Sequence, residues 1–160
     1  MQNRDHQLIE ATAWALGRRC SQQGTEAMTD IESVLYLLWE VSVNFQDAGF
    51  DAVLTWGFPL LEIAEAYERI GVAEAALIFR RLQELLPDGR YPRDFKERLA
   101  LVNRLCEQHD NLLSELAMEF RHCAAAIDRQ LVGWIRLHRD VFDLPEPGFG
   151  DVETAPPPGP

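Results

Sequence analysis

The chain has 160 residues and a formal charge of −11, with 26 Asp and Glu against 15 Lys and Arg. A chain this long suits one domain, burying roughly two thirds of the surface its unfolded form exposes. The charge disfavours direct binding to nucleic acid or an anionic membrane, since both need surplus cationic side chains near phosphate. It points instead to a basic protein as partner.

The charge is unevenly placed. Residues 20–79 hold ten acids against Arg69 alone, for −9, whereas residues 80–139 mix nine acids with eleven basic side chains, for +2. An acidic lobe therefore coincides with the first half of the chain. Cys20, Cys106 and Cys123 are odd in number and lack CxxC spacing, which argues against a disulfide framework and for a reducing cytoplasm. The opening MQNRDHQLIEATAW carries acids early and no apolar run of signal-peptide length. The longest apolar run, VLYLL at 34–38, is far short of the roughly 20 residues a membrane span needs.

In chain order, Leu8, Ile9, Ala11, Ala15 and Leu16, with Trp14 beside them, recur near helical spacing and predict a first helix over about 5–20. SQQGTEAM breaks it. Thr29 followed three positions later by Glu32 has the form of a capping box and starts a second helix running to about Gln46. Ile31, Val34, Leu35, Leu38, Val41 and Phe45 line one side of it, and Trp39 and Val43 widen that side. Only Ser33, Glu40 and Asn44 mark a polar strip, so this is expected to be a central helix covered on several sides. Gly49, Gly57 and Pro59 bracket a short helix over about 50–55.

From Pro59 to Ile70, Leu60, Ile63, Ala64, Tyr67 and Ile70 form the buried face of a further helix. Glu62, Glu65, Glu68 and Arg69 take the opposite arc, with Glu65 and Arg69 at ion-pair spacing and Gly71 as the C-terminal stop. Ala73 to Leu86 follows as an antiparallel helix with Ala76, Phe79, Leu82 and Leu86 inward, ended by PDGRYP. Residues 93–139 carry a long helical record, in which EQHDN and the stretch from Arg121 to Ala125 predict breaks into two or three helices. No strand-like alternation is present. The fold class is thus all-α, a single-domain bundle of about six to eight helices over residues 1–142. Segment 143–160, rich in Pro, Gly and acids, reads as a disordered tail.

Glu119 and His122 form one ExxH, but a di-metal bundle needs a second ExxH along with two further inward-facing glutamates, and no second copy is present. There is no GxSxG, no phosphate-cradling Gly-rich loop and no dinucleotide fingerprint. No catalytic residue, metal site or cofactor is assigned, and the expected protein is not an enzyme. Trp14, Trp39, Trp56 and Trp134 lack the interleaved basic residues that base stacking calls for. They are read as core or interface packing, with Trp56 in the glycine-bounded turn as a partner anchor.

The apolar helix, then Asn44, Asp47-Ala48-Gly49-Phe50, a short helix, an acidic helix ending Ile70-Gly71-Val72 and an Ala-rich helix ending Leu86-Pro87 resemble a known family. It is the DNA-mimic protein family, small acidic helical bacterial proteins sharing a domain otherwise of unknown function. LSELAMEF at 113–120 and LVGWIRLH at 131–138 are similar to that family's closing helices, so the likeness spans about 30–142. The family's turn is kept only at Gly49 and Phe50, and Val72 stands where alanine is usual. The resemblance implies an acidic, cytoplasmic protein that sequesters a basic, DNA-binding partner such as a transcriptional regulator. The residues expected to meet that partner are Asp47, Asp51, Trp56, Glu62, Glu65, Glu68 and Glu74. The same charge would suit an immunity-like inhibitor of a basic toxin, and a small metal-dependent enzyme is the alternative from another class. The sequence leaves a homodimer open.

Overall fold

The computed structural model describes residues 2–142, and the segment expected to be a disordered tail, 143–160, lies outside them. The order is α1 (Gln2–Gln23), a 3-10 turn (Thr25–Ala27), α2 (Asp30–Trp56), α3 (Leu60–Arg69), α4 (Ala73–Glu84), a 3-10 turn (Pro87–Gly89), α5 (Phe95–Leu137) and α6 (Arg139–Phe142). The fold is all-α, as the periodicity predicts, with no strand among the described residues.

α1 buries Ile9, Thr12, Ala13 and Leu16, the i, i+3, i+4, i+7 row of an amphipathic helix. The Thr12 hydroxyl is satisfied by donating to the Leu8 carbonyl at 2.7 Å. Ala11 and Ala15, part of the apolar pattern that predicts this helix, are exposed, and Trp14 lies 58% exposed with its ring edge-on to Trp39.

α2 is the axis. It packs against α1, α3, α5 and α6, and Val34, Leu35, Leu38, Val41 and Phe45 are buried. Val43, expected to widen that face, is exposed instead. The capping box forms: the Thr29 amide donates to Glu32 Oε2 at 2.8 Å, and the Glu32 amide donates to Thr29 Oγ1 at 3.3 Å. Glu32 does more than cap, because its carboxylate is only 2% exposed and pairs with Arg19 of α1. Burial alone would raise its pKa. The bond from Arg19, the amide and hydroxyl of Thr29 and the Arg19 charge outweigh that, holding the carboxyl below its ordinary 4.5.

Ala48 and Gly49 leave helical geometry, Gly49 at φ 66°, so α2 bends and Phe50 turns in against Phe45, 4.8 Å between centroids. This is the break expected before residues 50–55. Gly71 ends α3 at φ 83°. Its amide donates to the Glu68 carbonyl and that of Val72 to Tyr67, the paired bonds of a Schellman stop. The short link brings α4 back onto α3, its most extensive partner.

α5 starts on an Asp94 cap and loses helical geometry at His109, inside EQHDN. The second predicted break is absent: α5 continues through Arg121 to Ala125. Phe120, Cys123 and Ile127 keep the buried row going while Arg121, His122, Ala124 and Ala125 lie on its outer side. Phe120 joins the halves of the molecule, its ring 4.7 Å from Phe45, 5.7 Å from Phe50, 5.9 Å from Tyr67 and 5.5 Å from Phe79. The Trp134 indole donates to the Ile31 carbonyl at 3.2 Å, fixing the end of α5 to the start of α2.

Candidate functional site

The carboxylates expected to meet a partner fall into three places, and Trp56 into a fourth. Asp47 and Asp51 flank the bend of α2, both exposed. The Cys106 thiol of α5 donates to Asp51 Oδ1 at 3.3 Å. Burial raises the Cys106 thiol to about 12, aided by that bond and by the charges of Asp51, Asp110 and Glu107. Asp51 thus touches this thiol, with the charges of Glu107 and Asp110 acting on it from α5. Glu107 and Asp110 were not among the expected residues. Their segment balances its charges along the sequence, and 55 residues of chain separate Asp51 from Cys106.

The second place is the outer face of α3. Glu62 and Glu65 are exposed and make no ion pair with any described residue. Glu65 does not pair with Arg69 as its spacing suggested. Arg69 reaches back to Asp30 at 2.8 Å and lies over the Trp134 ring, a tertiary setting that outcompetes a weak i,i+4 contact. Glu68 is also engaged, by Arg80 of α4 at 2.8 Å. Its charge is locally compensated, which sets it apart from Glu62 and Glu65.

The third place is the start of α4, where Glu74 is exposed. Burial raises the Cys123 thiol above its ordinary value, and the charges of Glu74 and Glu119 push the same way, so Glu74 faces the middle of α5. Glu119, half of the ExxH, is held by Arg81 at 3.3 Å, and its partner His122 lies exposed. Among the described residues no three His, Cys, Asp or Glu side chains gather at metal-binding range.

Trp56 is 64% exposed at the end of α2. Gly57 behind it, at φ 71°, is covered by the Arg98 side chain, whose Nε donates to the Thr55 carbonyl at 2.8 Å. The Arg98 guanidinium also lies over the Phe95 ring, itself 48% exposed. α5 is thus pinned to the end of α2 beneath two exposed aromatic rings. No helix among the described residues is long and apolar enough to cross a membrane.

A model of the DMP19-like protein family matches residues 26–138. The matched span runs from just before the capping box to the end of α5, so α1 stands outside it. No curated protein and no solved structure matches the chain significantly.

Proposed function

Because the chain belongs to the DMP19-like protein family, we propose that it is a non-catalytic acidic protein that sequesters a basic, DNA-binding partner such as a transcriptional regulator. Its carboxylates then take the places of duplex phosphates. The observation that carries this reading is that five exposed carboxylates make no ion pair with any described residue: Asp47 and Asp51 around the bend of α2, and Glu62, Glu65 and Glu74 on the short helices α3 and α4. A carboxylate already facing a guanidinium, as Glu68 does, offers less to a partner's lysine or arginine. An unpaired one on a rigid helix offers its full charge at little cost in ordering. The −9 carried by residues 20–79 would steer a cationic surface toward these carboxylates, and salt would weaken the encounter by screening it. Exposed Trp56 supplies an apolar anchor. Such partners place the protein in the bacterial cytoplasm.

The test is capture from a lysate of the native host with the full chain as bait. The reading expects basic, DNA-binding proteins to bind at low salt, to elute at high salt and to be displaced by duplex DNA. Capture that neither salt nor DNA disturbs would overturn it.

A further inference from the structure

α1 closes on α2 at one end, through Arg19 and Glu32 and through the Trp14 and Trp39 rings. At its other end it leans onto α5, where Arg136 holds Asp5 at 3.2 Å. Between these ties the helices enclose a cleft of about 370 Å³. That lies within the roughly 300–1,000 Å³ of small-molecule sites. Ile9, Trp39, Phe45, Phe120, Ile127 and Leu131 make its body apolar and aromatic. None of Asp47, Asp51, Glu62, Glu65 and Glu74 lines it, so it is independent of the proposed partner surface.

The charges around the cleft differ in their engagement. Glu10 has His6 3.5 Å away. Arg121 sits over the face of Phe45, 5.5 Å from its centroid, using the ring it would otherwise offer a ligand. Asp128 makes no ion pair with any described residue. It lies at the exposed rim of the cleft, where partial desolvation raises its carboxyl above the ordinary value, with His6 opposing and Asp5 adding to the shift. A carboxylate on the cleft wall with no ion pair of its own is free to take an added cation. The chain's charge of −11 favours the same sign of ligand. Seven residues, two helical turns or about 10 Å, separate Arg121 from Asp128 along α5, so a cation at Asp128 stays clear of the guanidinium.

We propose that the cleft between α1, α2 and α5 binds a compact organic cation, an amine carried on an apolar or aromatic body, with the body among Ile9, Trp39, Ile127 and Leu131 and the ammonium at Asp128. A single lysine or arginine side chain of a protein partner would fill only part of this volume, which favours a free small molecule over a side chain of a docked protein.

Three isosteric probes that differ in charge test it: tryptamine, tryptophol and indole-3-acetate, titrated calorimetrically into the full chain. Tryptamine is expected to bind at least tenfold more tightly than tryptophol, with indole-3-acetate weakest. Asp128→Asn, at an exposed helix position, should bring tryptamine down to the affinity of tryptophol. Ala124→Trp, also exposed, should fill the cleft and abolish binding of all three while thermal unfolding stays cooperative. Arg121→Gln should leave tryptamine binding intact or improve it. Preference for indole-3-acetate would make Arg121 the anchor and overturn the proposal. Equal binding of the three, binding of none, or tryptamine affinity unchanged in Asp128→Asn would overturn it as well.

Discussion

Glu32 is the residue whose replacement tests the architecture most sharply, because one carboxylate both caps α2 and ties it to α1. Glu32→Gln keeps an oxygen for the Thr29 amide but removes the charge facing Arg19. A bond to a charged group is worth about 1.5–3 kcal/mol and a neutral one about 0.5–1.5. The Arg19 side chain is 36% exposed, so water recovers part of the difference, and a loss of about 1 kcal/mol is expected. Glu32→Ala also deletes the cap, worth about 1 kcal/mol, and strands a partly buried guanidinium. Breaking a fully buried pair costs about 3–5 kcal/mol, and discounted for Arg19's exposure the total should be about 2–3 kcal/mol.

Urea unfolding at pH 7 reads these values directly, provided the slope m is unchanged. The pH dependence has a fixed sign. The folded carboxyl titrates below its ordinary 4.5, so its stabilisation is complete above that value and is lost as pH falls through the folded pKa. The gap between wild type and Glu32→Gln should therefore narrow in acid. A Glu32→Gln protein as stable as wild type at pH 7, or a gap that widens as pH falls, would refute this account of the α1–α2 junction.

Four further outcomes follow from the same structure. Phe120→Ala should cost about 3–5 kcal/mol in urea unfolding, since its ring meets four other aromatic rings. A loss below 1 kcal/mol would mean the two halves are not joined there. Gly71→Ala should destabilise by about 1–2 kcal/mol through its φ of 83°, even though the added Cβ would meet nothing closer than 3.9 Å. Gly133→Ala, in open space within α5, should stabilise by about 0.5–1 kcal/mol in the same thermal or urea assay. Alkylation of Cys106 should be slow at pH 8, because its thiol is pushed up to about 12, and Asp51→Asn should accelerate it, as followed by mass spectrometry of labelled peptides.

Local signals carried much of the fold. Thr29 and Glu32 announced a helix start because a capping box is written within four residues, and Gly71 announced a stop because only a residue at ease at positive φ closes α3 there. EQHDN marked the bend at His109. What stayed hidden depends on chain segments far apart. Nothing near Glu32 indicates that Arg19 buries it, and nothing near Arg69 shows that Asp30 and Trp134 claim it from Glu65. The polar letters from Arg121 to Ala125 read as a break, although Phe120, Cys123 and Ile127 keep helical spacing beneath them.

The candidate surface shows the same division. That the first half of the chain is acidic is plain from composition. Which carboxylates keep a free charge is not, since Arg80 compensates Glu68 from the next helix and Asp51 meets the Cys106 thiol only through the packing of α5 on α2. The cleft between α1, α2 and α5 has no sequence signature, because three separated segments supply its walls.

The most direct test of the proposed sequestration compares wild type with a variant carrying Asp47→Asn, Asp51→Asn, Glu62→Gln, Glu65→Gln and Glu74→Gln. A basic partner captured from the native host is bound to labelled duplex DNA, and its release by each protein is measured at fixed low salt. Release by wild type, with at least a tenfold higher concentration of the equally stable variant needed for the same effect, is the predicted result. Equal release by both proteins would contradict the claim that these carboxylates stand in for phosphates.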